Sequence, residues 1–166
     1  ATRLLVELMA GTSGAVASTI EEARRLFDAV GDERLGLVLD TCHLFAAGQD
    51  VRTPAGLAAA LARFDRAVGL DRVLAVHLND ARAGLGSGLD RHEHIGRGGI
   101  GLRAFRLLVT DPRLRAVPMV LETPKEGDWD RRNLATLRGL RRPSRRPARQ
   151  REASRNRSAQ RRVAST

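Results

Sequence analysis

The chain has 166 residues, 29 of them Lys or Arg and 19 Asp or Glu, for a formal net charge of +10. Ten Arg and a single acid, Glu152, lie between Arg141 and Thr166, so that segment carries +9 and the first 140 residues only +1. At 42% hydrophobic with one cysteine, the sequence can build an apolar core. It has no run near the ~20 apolar residues that span a bilayer, no disulfide framework, and an opening that does not read as a secretory leader.

The predicted elements alternate. Leu4-Leu5-Val6-Glu7-Leu8 reads as a buried strand. Thr19-Ile20-Glu21-Glu22 has the capping-box spacing that opens a helix. Ile20, Ala23, Leu26, Phe27 and Val30 follow at helical period, and Gly31 is a stop. A second strand covers Leu35 to Asp40. A helix from about Pro54 to Val68 begins with a tolerated proline and ends at Gly69. A third strand runs from Val73 to Leu78, followed by a Gly-rich stretch from Ala83 to Gly101. Leu102 to Val109 resumes a helix. Val117 to Glu122 is a fourth strand, and roughly Asp130 to Leu140 a last helix. Residues 141–166 are rich in Arg, Ser, Ala and Pro with little apolar content, which predicts disorder.

Four β–α units with near-continuous apolar strands predict a parallel sheet covered by helices. A (β/α) barrel and a doubly wound sheet both satisfy that pattern, and both put functional groups at the carboxyl ends of the strands. Glu7, Asp40, His77 and Glu122 fall there. Taken singly each has an ordinary reading: Glu7 as a surface group or cap partner, His77 as a core histidine, Glu122 as a cap of the next helix. Together they form an oxygen and nitrogen donor set of the kind that holds zinc or manganese. Convergent carboxylates also repel unless a cation neutralises them. His43 lies three residues after Asp40. Asp90 and His92 are two apart, so in an extended segment they point the same way. Cys42 reads better as a small buried residue than as a ligand, and it fits a reducing compartment. His94 reads better as a loop histidine.

At these residues the sequence resembles the endonuclease IV family, the zinc-dependent apurinic/apyrimidinic endonucleases of family 2. The run from Leu39 to Asp50 carries that family's Asp-Thr-Cys-His signature with Phe-Ala-Ala-Gly following. His77-Leu78-Asn79-Asp80, Asp90-Arg91-His92-Glu93-His94-Ile95-Gly96 and Val120-Leu121-Glu122-Thr123 match further motifs. Glu7 with Ala10-Gly11 resembles another, although Leu8-Met9 replaces the usual Asn. The resemblance covers Leu4 to Leu140. It implies a TIM-type barrel whose three zinc ions hydrolyse the phosphodiester 5′ of an abasic site in duplex DNA, leaving a 3′-hydroxyl.

Carried over by motif, it implies that Asp40, His77 and Glu122 bind one zinc, with Glu7 bridging to another. His43, Asp90 and His92 bind a further zinc. Glu122 and Glu7 are the catalytic candidates, Glu122 by orienting the attacking water. Arg82, Arg91 and Arg97 are the DNA-contact candidates. The family's first four strands, and two histidines of the third zinc site, have no counterpart here. The expectation is therefore a half-barrel over residues 1–140, a disordered Arg-rich tail over 141–166, about two zinc ions and impaired cleavage. A missing N-terminal half or self-association would complete the barrel. The expected setting is cytoplasmic and nucleoid-associated, with no membrane partner. The alternatives are an inactive fragment that binds zinc and nucleic acid, and a sugar-isomerase-like TIM-barrel enzyme.

Overall fold

The computed structural model describes residues 2–11, 14 and 16–142. Strand β1 (Leu4–Glu7) leads to helix α1 (Ile20–Val30), β2 (Leu35–Asp40), α2 (Thr41–Ala46) and α3 (Pro54–Val68). A 3-10 turn at Leu70–Arg72 enters β3 (Val73–His77). Then come β4 (Asp80–Ala81), β5 (His92–Glu93), α4 (Gly101–Thr110), β6 (Met119–Val120) and α5 (Trp129–Arg141).

Local chemistry sets the helix ends. The Thr19 hydroxyl accepts from the Glu22 amide at 3.1 Å, and the Glu22 carboxylate accepts from the Thr19 amide at 3.3 Å. The expected capping box is therefore formed. Gly31 closes α1 at φ 62°, a left-handed position that costs glycine little. Thr53 caps α3 through the Gly56 amide, with Pro54 in the first turn.

Four strands form one parallel sheet in the order β1-β2-β3-β6. Asp40 lies beside His77 in the register of β2 and β3. Helix α1 packs on α3, α3 on α4, and α4 on α5. The helices therefore follow the strands around in the same sequence as one layer, which is the wall of a (β/α) barrel. A doubly wound sheet would place helices on both faces and reverse its strand order. Leu37, Leu39 and Val76 meet Phe27, Leu61, Phe64, Phe105 and Leu108 in the core between sheet and helices.

The other face has different contents. By strand alternation Glu7 shares it with Leu5, Asp40 with Val38, His77 with Ala75 and Glu122 with Val120. Leu5 and Val120, on the two outer strands, remain 38% and 48% exposed. Among the described residues, β1 and β6 each have one strand neighbour. The sheet is thus a wall of four strands with open edges.

The sequence predicts β1 as a buried strand, but Leu4 and Leu5 are 69% and 38% exposed, for want of a neighbouring wall on that side among the described residues. Four further points differ from the expectation. Thr41–Ala46 is a short helix rather than a strand-to-loop turn, because the Asp40 carboxylate accepts the amides of Cys42 and His43 at 2.6 and 3.1 Å. The Gly-rich stretch contains β5, paired antiparallel to β4 as Asp80 with Glu93 and Ala81 with His92. Strand β6 is two residues long instead of six, since Pro118 has no amide to donate and the Glu122 amide bonds a side chain. Helix α5 runs through Arg141, one residue into the predicted tail. The predicted disorder of 143–166 lies outside the described residues.

Candidate metal centre

Each strand of the wall ends in a side chain that points to one place. Glu7 and Asp40 are the last residues of β1 and β2, His77 is the last of β3, and Glu122 follows β6 by two residues. His77 Nδ1 lies 3.0 Å from Glu7 Oε1, 2.9 Å from Glu122 Oε2 and 3.8 Å from Asp40 Oδ2. One donor atom from each of these four residues fits within 4.8 Å of all the others. Asp40 is the floor of the cluster, fully buried, while the Glu122 side chain is 44% exposed at its rim.

A second group adjoins the first. His43 Nε2 is 3.2 Å from Asp90 Oδ2, and His92 Nε2 is 3.1 Å from Asp90 Oδ1 and 3.6 Å from Asp40 Oδ2. The two imidazole centroids are 5.6 Å apart. Helix α2 presents His43 and strand β5 presents His92, with Asp90 two residues before it, as the spacing of an extended segment predicts.

The tautomers follow from the partners. His43 Nδ1 faces the Leu8 carbonyl at 2.9 Å, and His92 Nδ1 faces the Glu122 carbonyl at 3.0 Å. A carbonyl only accepts, so each Nδ1 carries the hydrogen and each Nε2 offers a lone pair. Both Nε2 atoms are buried and have no hydrogen-bond partner. A backbone-anchored Nδ1 with an unpaired, inward Nε2 is the arrangement of a metal-ligating histidine. The carboxylates gathered around these imidazoles supply the negative charge that a divalent ion would balance. The residues present therefore fit a zinc-type ion.

Electrostatics point the same way. Burial opposes a charge on His43, but Asp40 and Asp90 favour it, helped by the Leu8 carbonyl and Glu7, and its pKa moves upward on balance. The site attracts positive charge. The Cys42 sulfur comes within ligand reach of Asp90 and His92. It nevertheless bonds the Arg91 carbonyl at 3.6 Å, and burial pushes its thiol up to about 12. Cys42 is buried, as the sequence suggested. His94 belongs to neither group. It is buried, stacked on Trp129 at 4.1 Å and 11°, with Nδ1 3.2 Å from the Asn133 amide.

The three arginines have separate surroundings. Arg82 pairs with Glu93 at 3.0 Å. Arg97 lies over the Trp129 ring at 4.9 Å, and Arg132 lies near the same ring at 5.1 Å. Arg91 donates to the Asp90 carbonyl at 2.8 Å, and no carboxylate among the described residues pairs with it.

Sequence reading assigned no role to two buried residues beside the cluster. Asn79 bonds Asp40 and Glu122, and Thr41 bonds the Asn79 backbone. Asp80 accepts the amides of Ala81, Gly96 and Ile100, each at 2.9 Å. That holds the segment entering α4, whose own first residue offers no side-chain cap. Both residues sit in the quoted His77-Leu78-Asn79-Asp80 run. A polar pair directly after a strand-end histidine was the available signal.

Known proteins share this fold. The profile of the family described as xylose isomerase-like TIM barrel matches residues 1–143. A protein of Chloroflexus aurantiacus named probable endonuclease 4 is 51% identical over 142 residues, which cover 84% of this chain and 50% of that protein. One of the same name from Methanoculleus marisnigri is 46% identical over 139 residues, covering 82% and 49%. The crystal structure of endonuclease IV from Thermus thermophilus superposes with a TM-score of 0.72 at 42% identity, covering 82% of this chain and 48% of that one. This chain thus spans about half the length of the relatives it matches. With that profile match over most of its length, and the fold shared with endonuclease IV, the chain belongs to the xylose isomerase-like TIM barrel family, in its endonuclease IV branch.

Proposed function

We propose that the strand-end cluster is a zinc centre for hydrolysing DNA phosphodiesters, acting 5′ of abasic sites in duplex DNA as part of base-excision repair. The observation that carries this reading is the pair of buried Nε2 atoms on His43 and His92, unpartnered and facing Asp90. In this reading Asp40, His77 and Glu122 would hold one zinc, with Glu7 as a ligand shared with a neighbouring ion, and His43, Asp90 and His92 would hold another. Bound zinc would supply positive charge to the phosphoryl oxygens and acidify a water.

The protein's own groups do the rest. The Leu8 and Glu122 carbonyls keep the two imidazoles in the ligating tautomer. Glu122, at the solvent rim, orients the attacking water and accepts its proton, and Glu7 stands beside it against His77. Arg91 meets a phosphate next to the ligands that flank it. Arg82 and Arg97 are the neighbouring contacts. In the domain organisation we propose, residues 1–140 are a single metal-binding unit. The +9 segment from Arg141 to Thr166 adds sequence-independent attraction to DNA. Four of the barrel's strands hold about two zinc ions, and cleavage is weaker than by a full-length relative.

The test is an oligonucleotide duplex with one synthetic abasic site, incubated with the chain with and without chelator, alongside metal analysis of the protein. Expected are about two zinc ions per chain and a slow, chelator-sensitive cut 5′ of the lesion. Well-folded protein without zinc, or DNA binding that survives chelator with no cut at any enzyme concentration, would sink the enzyme reading. Glu122→Gln should lose the cut. Full rate with full zinc removes Glu122 from the chemistry.

A further inference from the structure

Asp40 has few lone pairs left to give. A carboxylate offers about four acceptor sites, two on each oxygen. Oδ1 spends both on the amides of Cys42 and His43. Oδ2 accepts the Asn79 side-chain amide at 2.6 Å. One lone pair remains, on an oxygen 3.6 Å from His92 Nε2 and 3.8 Å from His77 Nδ1. Both metal groups claim Asp40 by distance, yet it can ligate only one ion, through one oxygen.

Asn79 creates that restriction and cannot turn away from it. Its Oδ1 accepts the Glu122 amide at 2.8 Å, so a flipped side chain would set oxygen against the Asp40 carboxylate and NH2 against an N–H. Its backbone is clamped as well. The Thr41 hydroxyl donates to the Asn79 carbonyl at 2.6 Å and accepts from the Asn79 amide at 2.9 Å. The residue is fully buried. One side chain therefore orients the buried acid at the end of β2 and fixes the backbone of the rim acid beyond β6.

We propose that Asn79 is a positioning residue that makes Asp40 a ligand to a single ion and keeps it from bridging the two metal groups, while setting the reach of Glu122. The proposal rests on the zinc reading above. Thr41, which touches the Asn79 backbone and not the acids, separates the positioning role from simple support of the fold.

The experiment is a cobalt titration of the full chain, freed of metal, read by visible absorption, with melting temperature measured in chelator. Asn79→Ala should weaken cobalt binding about 10- to 100-fold and alter its bands, because the coordination of one ion changes. Asn79→Ser, a milder cut, should move both in the same direction if the alanine protein does not fold. Thr41→Val, which loosens only the Asn79 backbone, should lower the melting temperature and move cobalt affinity and spectrum much less than Asn79→Ala does. Unchanged affinity and bands in a folded Asn79 variant overturn the proposal, as does an equal loss in Thr41→Val. An unsubstituted chain that takes up no cobalt overturns the metal reading and this assignment with it.

Discussion

Replacing Asp80 by Asn should loosen the segment that delivers α4. The buried Asp80 carboxylate gathers the amides of Ala81, Gly96 and Ile100 at 2.9 Å, with Gly101 at 3.3 Å from Oδ2. Gly98 lies so close to the Ala81 carbonyl and Asp80 Oδ1 that a side chain there would collide with them. Asn keeps the shape but turns one oxygen into NH2. With its remaining oxygen toward Ala81 and Ile100, the new NH2 meets the Gly96 amide donor to donor. One hydrogen bond to a charged acceptor is lost and one amide is left unpaired, a loss of about 2–4 kcal/mol. At about 3 °C per kcal/mol for a chain of this size, the melting temperature should fall by about 6–12 °C. Circular dichroism in chelator measures that shift, and amide exchange at Gly96 and Ile100 locates it. A melting temperature within about 2 °C of the parent, with exchange at Gly96 unchanged, would refute the reasoning.

The pH response of the metal-free chain should carry the signature of His43. Its pKa is raised in the fold, so the stabilisation is complete below its unfolded value near 6.5 and is lost as pH rises through the folded value. Denaturant unfolding in chelator should weaken over that window, and His43→Gln should flatten the profile; a parent profile already flat there contradicts the assignment. Arg91→Ala should weaken duplex binding evenly across sequences and reduce the salt slope by about 1, whereas unchanged affinity and slope would remove Arg91 from the phosphate contact. The open edges of β1 and β6 should make the chain associate. Leu4, 69% exposed on β1, is the place to intervene. Light scattering should report more than monomer mass, reduced by Leu4→Lys, and a cooperatively unfolding monomer of the parent would count against association.

The strand-end acids were legible because near-continuous apolar runs stop at them, and a run that stops at Asp40 or His77 leaves few places for the side chain to go. His43 was legible as a ligand type, but the helix that aims it was not. Thr41–Ala46 is short, and its capping depends on which way the Asp40 carboxylate turns, a choice made by tertiary neighbours. Strands β4 and β5 are two residues each, too short for any periodicity. The shortening of β6 was half visible, since Pro118 lacks a donor, but the Glu122 amide leaves the ladder for Asn79, a partner 43 residues away. Asn79 itself was quoted in a motif without a role, because a buried amide declares its function only through its partners.

The two histidines with free Nε2 atoms are also gauges of the sheet's margins. Leu8 follows β1 and Glu122 follows β6, and these are the outermost strands. If either margin frays, the ring beside it loses the acceptor that pins its hydrogen, and the proton is free to move to the nitrogen that should ligate. In the zinc reading proposed above, ion capture would then be lost while the helices and central strands are still intact. The imidazole N–H resonances of His43 and His92 should therefore report edge melting well before any bulk signal changes, and anything that pairs with those margins would act at a distance as a lock on the centre.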